Sequence, residues 1–174
     1  SIAGREMART LPSTIGGVPV VDVTLGAGKT VATFEDAWAW IYDHYPDLTA
    51  ANVIPRILVT GMITSGSASP SVGGSIVGDA ARYVIVTADA GQSICDQPAS
   101  TPIRHSSAYA GLIATTSAYR TLPIPSTYTG PLRVEALQLR RQVGGDGAII
   151  ASPAGDAMMA DRKSTRLNSS HIAV

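Results

Sequence analysis

Apolar and polar positions alternate over residues 132–139, but not in a single phase. Leu132 and Val134 alternate with Arg133 and Glu135, the period of a strand with one buried face. Ala136 then interrupts, and Leu137 and Leu139 restart the pattern, so one flat strand would turn half of these side chains to the wrong face. The pattern predicts two short strands meeting at a sharp corner. The turn Gly144-Gly145-Asp146-Gly147 and a further apolar run over 148–151 follow. This is how one coil of a parallel solenoid reads in sequence.

Helical period occurs once. Phe34, Ala37, Trp38, Ile41 and Tyr45 share one face, Thr33 stands where a cap belongs with Asp36 three residues on, and Pro46 stops the run. A helix over 33–45 is predicted, its aromatic stripe packed on a large apolar partner and Trp40 left toward solvent. The other apolar runs are strand-like: 18–25, where Pro19 argues for an edge or a strand start, then 53–60, 83–88 and 111–116. Ile57 to Ile85 and Ile85 to Ile113 each span 28 residues, and Ile113 to Val134 spans 21. Recurrence in the twenties is expected of stacked solenoid turns, whereas sandwich strands recur every ~10 residues.

Composition sharpens this picture. Gly, Ser, Thr, Ala and Val dominate, which favours short strands and tight turns. Thirteen basic and thirteen acidic residues cancel, and charged residues make up 15% of the chain. No electrostatic footprint for nucleic acid or an anionic membrane surface is present. No apolar run has the length of a membrane span. The single cysteine, Cys95, excludes a disulfide framework and a cysteine-based zinc cage. No metal and no cofactor is expected.

The expected organisation is a flexible leader over 1–17, one domain over 18–160 containing the helix, and a non-native or disordered tail over 161–174. Residues 163–171 resemble translated sequencing adapter, so the Asn168 sequon and His171 are set aside, and the natural chain is expected to continue past Ala160.

Candidate chemistry is sparse. Leu25-Gly-Ala-Gly28-Lys29-Thr30 follows a strand as a phosphate-binding P-loop does, but Val23 occupies the position of the first glycine and the helix starts too late. Asp79, Asp89, Asp96 and Asp146 lie in turn contexts, where Asp bonds its own backbone. Stacked coils could still gather them into a glycan-cleaving cluster. Arg104-His105 could serve as a base of the same kind, although a solvated loop dipeptide is the simpler reading. Arg140 and Arg141 are expected on the exterior, and His44 is explained by the helix C-terminus. Tyr109, Tyr119 and Tyr128 recur every ten residues or so in a Ser/Thr-rich stretch, where exposed tyrosines suit stacking on sugar rings and partly buried ones serve as loop anchors, the simpler reading.

Three segments carry a resemblance: Val31-Ala-Thr-Phe-Glu-Asp-Ala-Trp38, the run from Gly78 through Arg82-Tyr-Val-Ile-Val-Thr-Ala-Asp89 to Gly91, and Pro131-Leu-Arg-Val-Glu-Ala-Leu-Gln-Leu139. They resemble pectate-lyase-like right-handed parallel β-helix proteins of phage and metagenomic type, with Ala136 in place of the usual glycine. The resemblance implies a mostly β fold, a right-handed single-stranded parallel β-helix present as a fragment, with an N-terminal capping α-helix. It also implies the frequent trimers of tail fibres and tailspikes, and a virion or extracellular location. The expected function is a structural or receptor-contact protein that binds cell-surface glycan through Tyr109, Tyr119 and Tyr128. The alternative is a polysaccharide lyase or glycoside hydrolase on the same fold, and a P-loop nucleotide-binding protein comes third. Carboxylates and bases converging on one groove would favour the enzyme. An exterior without them would favour binding.

Overall fold

The computed structural model describes residues 9–66, 69–98, 100, 104–115, 120–142, 150–151 and 157–159. In chain order these form β1 (Thr14–Ile15), β2 (Val18–Leu25), α1 (Phe34–His44), α2 (Leu48–Ala51), β3 (Ile54–Val59), β4 (Met62–Thr64), β5 (Ile76–Val77) and β6 (Val84–Ala88). A 3₁₀ turn, Ile94–Asp96, follows. Then come β7 (Gly111–Ala114), β8 (Leu122–Pro123), β9 (Tyr128–Thr129), β10 (Leu132–Glu135), β11 (Gln138–Arg141), β12 (Ile150–Ala151) and β13 (Ala157–Met159). The largest sheet has six strands in the order β1-β2-β3-β6-β10-β13. Its first pair is antiparallel and the others are parallel. Three smaller parallel sheets, β11-β7-β4, β12-β8 and β5-β9, stand apart from it.

One core joins these pieces. Val23, Leu25, Ile57, Val59, Val84, Val86, Leu132 and Val134 line it from the large sheet, while Leu112, Leu139, Leu122, Ile76 and Tyr128 reach it from the small ones. Helix α1 contributes Phe34, Ala37, Trp38 and Ile41, all fully buried. The Thr33 hydroxyl accepts the Asp36 amide hydrogen at 3.1 Å, and the chain leaves the helix at Tyr45. Trp38 meets the edge of Phe34 at 6.2 Å and the tilted ring of Tyr128 at 5.2 Å. Trp40 is half-buried rather than free, because its ring stacks on His44 at 4.1 Å.

The expected right-handed parallel β-helix is corrected by this topology. The described residues form a strand-rich mixture of small sheets with two α-helices and an antiparallel edge, not uniform coils. The reason lies in the spacing used to predict it. Ile57 stands opposite Val86, Ile85 stands opposite Arg56 and Arg133, and Ile113 belongs to another sheet, where it faces Thr64 and Arg140. Equal intervals therefore did not mark equivalent positions, because the segments between the strands differ in length and content. The segment between Ile57 and Ile85 holds β4 and β5, whereas the one between Ile85 and Ile113 holds the 3₁₀ turn.

The corner at Ala136 is present. Its φ of 53° puts a non-glycine residue in the left-handed region, at a cost of about 1 kcal/mol. The fully buried Ser93 hydroxyl donates to the Ala136 carbonyl at 2.7 Å, which ties the corner to the 3₁₀ turn. The buried hydroxyls of Ser65 and Thr121 serve two more carbonyls in the same way, those of Thr121 and Arg140. In β10, Leu132 and Val134 face the core while Arg133 and Glu135 face outward and form an ion pair.

The expected leader over 1–17 is tied down from Arg9 onward. The Gly16-Gly17 pair, with φ of 56° and 80°, makes the two-residue turn that right-handed strand twist favours, and it folds β1 back on β2. Ile15 then packs on an outer apolar cluster of Val18, Ile54, Tyr83 and Ile85. Beside that cluster the Arg56 guanidinium is 4% exposed, paired with Asp22 at 2.6 and 3.0 Å and donating to the Pro12 carbonyl at 2.9 Å. All six residues of β3 are consequently buried. The expected tail over 161–174 lies outside the described residues.

Candidate functional site

Strand β11 alternates Leu139, inward, with Gln138 and Arg140, outward. Pairing with β7 sets Gln138 opposite Gly111, so its side chain meets the segment that enters β7. The Gln138 carboxamide clamps that segment. Its oxygen accepts the Ser106 amide hydrogen at 2.8 Å, and its nitrogen donates to the carbonyls of Ser106 at 3.0 Å and Tyr109 at 3.3 Å. The clamp brings His105 to Arg140, 2.5 Å between the imidazole Nε2 and the guanidinium Nη1. A guanidinium only donates, so Nε2 is the acceptor in this contact, and Nδ1 stands 3.5 Å from the Gln138 oxygen. Arg104, His105 and Arg140 are exposed and Tyr109 is half-buried. Among the described residues neither Arg104 nor Arg140 forms an ion pair.

The three tyrosines expected to bind sugar do not act together. Tyr128 is 2% exposed and belongs to the core. Its hydroxyl donates to the Pro131 carbonyl at 2.5 Å and accepts the Val84 amide hydrogen at 3.1 Å, and burial pushes its phenol well above the usual range. It cannot stack on a ligand. Tyr119 lies outside the described residues. Tyr109 is the one that borders the exposed cluster.

The described candidate carboxylates are engaged by local partners. Asp79 accepts the Ala81 and Arg82 amide hydrogens at 2.9 and 2.8 Å and pairs with the Arg82 guanidinium. The Ala81 amide, followed by the groups of Arg82, holds its carboxyl below the usual value although burial opposes the shift. Asp89 accepts its neighbour's amide hydrogen at 2.8 Å and the Thr60 hydroxyl at 3.4 Å. Asp96 closes a capping box with Ser93 and receives Arg9. Asp146 lies outside the described residues. Among the described residues no three His, Cys, Asp or Glu side chains gather as a metal site requires. Cys95 is half-buried in the 3₁₀ turn. No helix of the described residues is long and apolar enough to cross a membrane.

The glycine loop after β2 is not built for phosphate. Its Gly26, Lys29 and Thr30 amides donate to Val31, Gly26 and Thr24, and the Thr24 and Thr30 hydroxyls bond each other at 2.9 Å. Those three amides are turned to local partners rather than toward an anion.

Sequence reasoning placed Arg104-His105 and Arg140 separately and passed over Gln138. Only the outward phase of Gln138 and Arg140 was readable, since their partners stand more than thirty residues earlier. No family model, curated protein or solved structure matches the chain, so the likeness to pectate-lyase-like proteins rests on the three quoted segments alone.

Proposed function

We propose that this protein is a receptor-contact or structural protein that binds cell-surface glycan, and that the contact face is the one built by Arg104, His105, Gln138 and Arg140 beside Tyr109. The observation that carries the reading is the exposed Arg140 guanidinium, with no carboxylate partner among the described residues, set against the His105 imidazole on a strand whose Gln138 carboxamide holds the backbone of Ser106 and Tyr109, with exposed Arg104 next to His105 in sequence. Guanidinium forks match carboxylate and sulfate oxygens, and planar polar side chains match vicinal hydroxyls. An anionic polysaccharide is therefore the favoured ligand class. Asp79, Asp89 and Asp96 each take nearby backbone amide hydrogens, a structural use of carboxylates that favours binding over cleavage.

The test is a glycan array of neutral and anionic polysaccharides, probed with the unaltered chain and with Arg140→Ala and His105→Ala. Losing one charge-assisted hydrogen bond of about 1.5–3 kcal/mol weakens binding roughly ten- to a hundred-fold. Binding of anionic glycans, lost in Arg140→Ala, is the expected result. No glycan bound, or equal binding by both variants, would refute the reading. Shortening of the bound polysaccharide on incubation would favour the lyase or hydrolase instead.

A further inference from the structure

The N-terminal arm lies across the outer face of the large sheet, and its anchors are remote in sequence. The Arg9 guanidinium donates to the Thr87 hydroxyl at 2.8 Å, the Ala88 carbonyl at 2.6 Å and the Asp89 carbonyl at 3.3 Å, and it pairs with Asp96 at 3.3 Å. The Pro12 carbonyl accepts from Arg56, and the Ser13 carbonyl accepts the Val20 amide hydrogen. The receiving groups are held in place without the arm. Asp96, whose side chain is 3% exposed, takes the Gly91 and Ser93 amide hydrogens at 3.1 and 3.3 Å, and Arg56 is fixed by two bonds to Asp22. The arm joins this receptor through two glycines alone.

We propose that this face is an arm-exchange surface whose partner is a second copy of the chain. In the exchanged dimer, residues 9–15 of one copy take the Thr87, Asp96 and Arg56 receptor of the other in place of that copy's own arm. The geometry allows it because every contact of Arg9 and Pro12 is to a residue beyond the hinge, so the same bonds form whichever chain supplies the arm. Gly16 and Gly17 need the left-handed region only in the folded-back hairpin, and an extended hinge releases them from it. The inference is independent of the glycan reading.

Full-length chains in a Cys95→Ala background test it. Thr14 and Pro19 are exposed Cα partners across β1 and β2, a separation within reach of a disulfide. A chain carrying Thr14→Cys is mixed with one carrying Pro19→Cys, unfolded in urea, refolded together at high concentration and oxidised. A disulfide joining the two different chains is the expected product, and adding Gly17→Val to both is expected to raise its yield several-fold. The double variant Thr14→Cys/Pro19→Cys reports the hairpin pairing within one chain. If the double variant closes within itself and the mixture yields no joined chains, the proposal is overturned. Light scattering of the unaltered chain gives a second reading. A dimer fraction that grows with refolding concentration is expected, and a monomer at every concentration would overturn the proposal.

Discussion

Removing the Tyr128 hydroxyl tests whether this residue is a core strut. In Tyr128→Phe the ring keeps its contact with Trp38, so the apolar burial is nearly unchanged. Two bonds are lost: the donation to Pro131 and the acceptance from the Val84 amide, which belongs to a fully buried residue. A buried donor left without a partner costs about 1–3 kcal/mol. The expected loss is therefore about 2 kcal/mol, seen as a lower urea midpoint at unchanged slope and, for a chain of this size, a Tm lower by about 4–8 °C. The loss should also depend on pH. Burial raises the phenol above its ordinary 10.0, so the unfolded chain releases the proton first and the folded protein is penalised at alkaline pH. The hydroxyl's stabilisation is complete below pH about 10 and declines as pH rises beyond it. Phe does not titrate, so the gap between the two proteins should narrow above that pH. A variant within about 0.5 kcal/mol of the unaltered chain at neutral pH would refute the reasoning, because surface changes alone fall in that range.

Two further predictions probe the site's supports. Gly111 is the opposite number of Gln138, and a Cβ there would stand 2.6 Å from the Gln138 carbonyl oxygen and 3.0 Å from the end of Met62. Gly111→Ala should cost about 1–3 kcal/mol by urea unfolding and quicken amide exchange at Ser106; exchange no faster than in the unaltered chain would mean that the clamp does not depend on this close approach. Asp79 is held below its ordinary value of 3.8, first by the Ala81 amide and then by the groups of Arg82, so its contribution is present above that pH and lost as pH falls through the folded value. Asp79→Asn should unfold at lower urea than the unaltered chain at pH 7, with the difference shrinking below pH about 4; a constant difference would show that the charge is not what stabilises the turn.

Much of the local structure was legible because it depends on near neighbours. The Thr33 cap, the buried stripe of α1 and the stop at Pro46 are set by contacts within a turn or two, and the structure has them. The corner at Ala136 was legible as a slip of phase, since side-chain direction in a strand has a period of two. Strand-like runs at 54–59, 84–88 and 132–135 were legible too, but not which sheet each joins. Ile113 carries the same residue type at the same interval as Ile57 and Ile85, yet it sits in another sheet. The candidate site shows the same limit. Tyr128 and Tyr109 look alike in sequence, and only the packing of Trp38 and Val84 around Tyr128 takes it out of reach of a ligand.

By itself, then, the sequence determined the helix and its ends, the strand-rich character, the neutral charge balance and the corner at Ala136. Each follows from propensity, period or composition along a short stretch. The tertiary structure alone decided how the sheets divide, that Arg9 reaches across the large sheet to Asp96, and that Gln138 gathers His105 beside Arg140. Those outcomes join residues far apart in sequence. No local period encodes which distant backbone amide or side chain completes a hydrogen bond once the core has closed.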